Sequence, residues 1–175
     1  RESALLISMP AVGILLPQAL WVTDFLVGLA GGHLTGMTDY MFDEARPLFL
    51  RGLSLFHGWL PFLLVYLVWR TGYDRRAFKL WTLAAWALLA TCFFFMPPPS
   101  LDHGIAPVNI NYVWGMSDTE PQHYMPAWAW LGSMLVLFPI VLFAPVHWLL
   151  KKYAPAAPAT DSIALPLADT EQAAG

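Results

Sequence analysis

Charge is scarce in this chain. Asp, Glu, Lys and Arg make up 12% of its 175 residues, against about 25% in soluble globular domains. The formal net charge of −3 provides no basic stripe to neutralise phosphates, which excludes nucleic acid as a partner. The one cysteine, Cys92, excludes an internal disulfide and leaves the redox compartment open. It stands in the apolar run Thr91-Cys-Phe-Phe-Phe95, a poor setting for a reactive thiolate. Signatures of common catalytic sites are also missing. There is no Gly-x-Ser-x-Gly elbow, no His-Glu-x-x-His, no histidine pair at i, i+4 and no glycine-rich phosphate loop.

Apolar length is what the chain has instead. Hydrophobic residues make up 58% of it, with 15 Pro and 9 Trp. Four runs, roughly Ala4–Leu29, Leu48–Trp69, Phe78–Met96 and Pro126–Leu150, are each about long enough to cross a ~30 Å hydrocarbon core as a helix. A bilayer offers backbone amides no water, so runs of this length must be helical. The expected fold is an all-α integral membrane protein, a bundle of four transmembrane helices over 1–153 followed by an Ala- and Pro-rich tail, 154–175. The first run is too long for a signal-peptide core, and no positively charged region precedes it. We therefore expect Arg1 to be an internal start with a further helix ahead of it.

Basic residues orient the bundle. The connection Arg70–Lys79 holds four of the nine Lys and Arg, Lys151 and Lys152 close the fourth run, and Arg1 precedes the first. If the helices alternate, both visible ends face the cytoplasm by the positive-inside rule, as expected of a bacterial inner-membrane protein. Connections 30–47 and 97–125 then lie on the outer, periplasmic face. Their aromatic residues, Tyr40, Phe42, Tyr112, Trp114 and Tyr124, argue against disorder and predict a lid packed over the helix ends. The tail has three acids and no base. On its own it is a flexible extension, and a partner subunit is the natural means of holding it.

His57 is the most provocative side chain. It stands about nine residues into the second run, ~14 Å deep at 1.5 Å per residue. Ionisable groups at that depth face the bundle interior and are functional candidates. Ser54 and Pro61 share its face, and the adjacent Gly58 permits close helix approach. One reading makes His57 a general base, proton relay or cofactor ligand, and the other a neutral imidazole bonded to a neighbouring helix. Gln18 and Thr91 are expected in the interior, as polar glue between helices. Asp24 is expected to pair with Arg51 at the outer interface. His147 reads as interfacial, and Gly28-x-x-x-Gly32 as a turn or helix-association pattern. On the outer face, His33, His103 and His123, with Asp39, Asp43, Asp102, Asp118 and Glu120, are weak candidates for a divalent metal.

The stretches Gly36–Asp43, Leu53–Pro61, Gly72–Arg76 and Ala106–Gly115 together resemble a family of bacterial multi-pass proteins described as membrane-associated, of unassigned function. The resemblance covers roughly 4–152 and leaves the tail outside. It implies a fold and no catalytic residue. The Asn-Tyr after a proline-rich loop and the mid-helix His57 are similar, over short stretches, to bacterial relatives of small membrane acyl-transfer and lipid-hydrolase proteins.

Three functions are weighed. The first is a non-catalytic accessory or assembly subunit of a larger membrane complex, such as an energy-transducing one. Its partner subunits would contact the helices and the tail, and no cofactor is specified. The second is a membrane-embedded enzyme acting on a lipid-like substrate, with His57 as general base and Asp39, Asn109 and Asn111 as polar positioners. The third is a small transporter, for which paired broken helices or an inverted repeat would be the sign.

Overall fold

The computed structural model of the protein describes residues 2–99, 109–117 and 120–158. The structure among them is helical: α1 Glu2–Leu29, α2 Leu48–Leu53, α3 Phe56–Thr71, α4 Arg76–Phe95, α5 Ala127–Leu137 and α6 Ala144–Tyr153. Four stretches are long and apolar enough to cross a membrane: Ser3–Leu29, Leu48–Thr71, Arg76–Phe95 and Ala127–Tyr153. Each expected run is found, with its ends moved by a few residues.

Two of the four are interrupted, and proline accounts for the second break. In the second span α2 gives way to α3 through bonds tightened to i→i+3, from Ser54 N to Arg51 O, Leu55 N to Gly52 O and His57 N to Ser54 O. Gly52 and Ser54 favour such a bend. Pro61, four residues after His57, can neither donate to the His57 carbonyl nor tolerate it closely. His57 thus falls in the first turn of α3 rather than midway along a continuous helix. In the fourth span a π-helical turn, Phe138–Phe143, joins α5 to α6. Pro139 has no N–H for the carbonyl of Leu135, and the Trp86 indole of α4 donates to that carbonyl at 2.8 Å. A neighbouring helix thereby satisfies the group that proline orphaned.

Helix α1 is the centre of the bundle, touching α3, α4, the π turn and α6. In lipid, helices associate through close packing rather than hydrophobic burial, so small residues belong at the contacts. Its buried face carries Ala4, Ser8, Ala11 and Val12. Gly13 faces α4 so closely that a Cβ there would overlap the Trp81 indole. One core cluster joins Ala11 and Val12 to Leu64, Val68, Tyr73, Ala77, Phe143, Val146 and Leu150. A second, of Leu89, Cys92, Val113, Leu131 and Met134, ties α4, α5 and the 109–115 loop together. Around Gly58 and Gly52, by contrast, a Cβ would meet nothing within 4 Å. Gly58 is therefore not a close-approach point within this chain.

The connection 30–47 and the described residues 97–99, 109–117 and 120–125 gather at one end, called here the lid end. The Gly72–Arg75 connection and the end of α6 form the opposite, basic end. The tail begins on the protein. Tyr73 N donates to Pro155 O at 2.7 Å and Ala157 N to Tyr73 O at 3.1 Å, a single parallel bridge between Tyr73 and Ala156. Residues 159–175, on which the expectation of a partner-held tail rests, lie outside the described residues.

Candidate functional site

Polar side chains inside a membrane-length bundle are costly unless bonded, so each buried one has to be traced to its partner. They fall into two groups, one toward each end.

At the lid end the organiser is Asp24, five residues before α1 stops and 3% exposed. Its Oδ1 accepts from Thr35 N (2.6 Å), Thr35 Oγ1 (2.8 Å) and Gly36 N (3.2 Å), and its Oδ2 from Thr38 N (2.9 Å) and Thr38 Oγ1 (2.6 Å). Five donors around one carboxylate satisfy it without a cation. The expected Asp24–Arg51 pair is therefore not formed. Arg51 Nη1 donates to Met41 O at 3.1 Å instead. The loop can wrap the carboxylate because Thr35 and Thr38 each supply both a backbone N–H and a hydroxyl. An aromatic ladder continues the seal: Phe42 stacks on Phe25, Phe25 on Trp21, and Trp21 on the His57 imidazole. The Trp21 indole donates to Tyr40 Oη at 3.3 Å.

Below this ladder His57 Nδ1 meets Gln18 Oε1 at 2.8 Å, joining α3 to α1. An amide oxygen only accepts, so the contact requires the proton on Nδ1 and turns Nε2 into the basic position. Gln18 is buried, as expected. Thr91 is not: it is exposed on α4, and its hydroxyl bonds the Ala87 carbonyl of its own helix at 2.8 Å.

The structure does not bring the other candidate positioners to His57. Asn109 is buried and organises its own loop, donating to Gly115 O and Ser117 O and accepting from Trp114 N. Asn111 takes a left-handed conformation, φ 56°, which asparagine tolerates well, and its amide reaches Cys92 Sγ at 3.2 Å. Asp39 lies 3.5 Å from His33 in an exposed pair. His123 and Glu120 are exposed, while Asp102, His103 and Asp118 lie outside the described residues. Among the described residues, no group of three or more His, Cys, Asp or Glu converges to hold a metal ion.

The basic end carries the group that the sequence did not announce. Tyr73 is 3% exposed, and its hydroxyl lies 2.6 Å from His147 Nδ1 on α6. Burial, with Asp74 beside it, pushes the phenol above its ordinary pKa, so Tyr73 keeps its proton and donates. His147 then accepts at Nδ1, carries its own proton on Nε2, and packs against the Phe78 ring. His147 is thus a partner inside the bundle rather than only an interfacial residue. Asp74 N donates to Ser8 Oγ on α1 at 3.0 Å, and the Asp74 carboxylate clasps the Arg76 guanidinium at 2.7 Å. The one signal in the sequence was the sequence Tyr73-Asp74 inside a basic connection, which a count of charges passes over.

No protein-family model, curated protein or solved structure matches this chain.

Proposed function

We propose that this chain is a non-catalytic accessory or assembly subunit of a larger membrane complex. It would sit in a bacterial inner membrane with its basic end toward the cytoplasm. The observation that carries this reading is the imbalance between its spans. In the most apolar part of Ser3–Leu29 33% of the residues are buried, whereas in that of Leu48–Thr71 only 11% are. From Leu55, just ahead of α3, the uncovered face runs on through Trp59, Leu63 and Tyr66, spaced to form one stripe. Beside that stripe stand Gly52 and Gly58, with open space where a Cβ would be, as suits the close approach of another helix. The polar groups traced above support the same reading, since Asp24, Asn109 and Asn111 all serve to hold the chain's own shape.

Photo-crosslinkers placed at Trp59 and Tyr66 in the native membrane test it. The expected result is a discrete protein adduct at both positions and none at the buried Leu64. Adducts to lipid alone, with the chain purifying as a lone monomer, would overturn the reading.

A second reading, a membrane-embedded enzyme acting on a lipid-like substrate, is favoured by one observation: the His57–Gln18 pair beneath the aromatic ladder. His57→Gln and Gln18→Ala would then leave the chain folded and abolish turnover of a membrane lipid. Unfolding of both variants would make the pair a helix-to-helix strut.

A further inference from the structure

The bundle carries a groove of about 510 Å³. Its floor is α1 at Leu15, Leu16, Ala19, Val22 and Thr23, and its walls are α3 and α6. The interior is apolar. On its floor the one hydroxyl, on Thr23, already donates its proton to the Ala19 carbonyl at 2.8 Å. Two amphipathic rings, Trp69 of α3 and Tyr153 of α6, line the groove where those helices approach the basic end.

That mouth is charged. The Lys152 ammonium stands 4.9 Å from the centroid of the Tyr153 ring and 5.0 Å from that of Trp148. Nearby, the Asp74 carboxylate is clasped by Arg76, while Lys151 and Lys152 are exposed. An apolar slot that opens onto basic and aromatic side chains matches an amphiphile with an anionic head.

The α3 wall runs from Pro61 to Trp69, ~12 Å at 1.5 Å per residue. A slim acyl chain follows an apolar slot of this kind along its length, and Lys152 beside the Tyr153 ring supplies the charge that an anionic head meets and an apolar partner helix does not.

We propose that this groove seats one acyl chain of an anionic glycerophospholipid, with the phosphate against Lys152. The site is separate from the α3 stripe assigned to partner helices and stands whether or not that assignment holds. The test is native mass spectrometry of the full chain, taken from mild detergent and equilibrated with mixed phosphatidylglycerol and phosphatidylcholine vesicles. The wild type should retain one phospholipid, with phosphatidylglycerol preferred. Lys152→Gln, a change at an exposed side chain, should lower that preference about five-fold. Ala19→Phe, which fills the floor, should lose the bound lipid while the thermal transition is kept. Leu149→Trp, from the opposite wall, serves the same purpose if Ala19→Phe fails to fold. Equal retention of the two lipids, or retention undiminished in the filled variants, would overturn the proposal. A crosslinked protein helix in the groove would do so as well.

Discussion

The two ends of this bundle solve the same problem in opposite directions. At the lid end a helix organises a loop: Asp24 stands on α1 and the connection 33–42 folds around its carboxylate. At the basic end a loop organises helices. Tyr73 and Asp74, both in the short turn between α3 and α4, reach out to His147 on α6 and Ser8 on α1. The difference follows from loop length. A long connection has enough backbone N–H groups and hydroxyls to satisfy a buried carboxylate. A four-residue one has few, so the Tyr73 hydroxyl and the Asp74 N–H find their partners on neighbouring helices. The lid is therefore local and detachable, whereas the basic end is a joint on which four helices and the start of the tail converge.

If that contrast is right, the joint should break first and most widely. Gly72 has φ 82° and ψ 154°, a region essentially closed to other residues. A Cβ there would also meet Ala156 O and Ala157 N, each at 2.7 Å. Gly72→Val is expected to cost roughly 3 kcal/mol, read as a lowered thermal transition in detergent with loss of amide protection at both Tyr73 and Ala157. A change confined to the tail would show that the joint is weaker than its geometry.

Asp24→Asn ranks next and should act only at its own end. The new amide nitrogen cannot accept from Thr38 or Thr35. Exchange at the Thr35, Gly36 and Thr38 amides should therefore speed up about tenfold or more, with the Tyr73 and Asp74 amides unchanged. Equal acceleration at both ends would abolish the distinction between a detachable lid and a joint.

Tyr73→Phe removes one neutral hydrogen bond and should cost about 1 kcal/mol. It also carries a pH signature. The folded state raises the phenol pKa, so folding binds the proton more tightly than the unfolded chain does. Stability from this source is complete below the ordinary tyrosine pKa, about 10, and declines as pH rises above it. Thermal scans above about pH 10 should show that decline in the wild type and lose this part of it in Tyr73→Phe.

The smallest effect involves no loss of stability. The contacts assign opposite neutral tautomers to the two bundle histidines, Nδ1–H for His57 and Nε2–H for His147. Nitrogen-15 spectra of labelled protein should show the two patterns, and a shared tautomer would remove one of the two proposed hydrogen bonds.

Much of the architecture was legible in the sequence because apolar length is a one-dimensional property. Four runs gave four spans, and the aromatic content of 30–47 and 97–125 foretold loops packed on the helix ends, as Trp114 against Phe93 and Phe42 against Phe25 show. The depth and polarity of His57 and Gln18 marked them as interior. Their meeting at 2.8 Å needed the register between α1 and α3, which no spacing along the chain contains.

The failures share that cause. Arg51 looked like the partner of Asp24 because opposite charges at similar depth attract. In the folded chain the two threonines of the adjoining loop supply closer donors, which need not cross between helices. Thr91 looked interior because it is polar, but a threonine hydroxyl can bond its own helix at i−4 and remain on the exposed side. Hydropathy, then, determined how many membrane-length apolar stretches the described residues hold and roughly where they end, because apolar runs of such length satisfy their backbone as helix. Only the tertiary structure decided which face of each helix is inside, which polar groups meet, and where α1 is left uncovered to form a groove. Those depend on rotation and register between helices, which packing sets and composition does not encode.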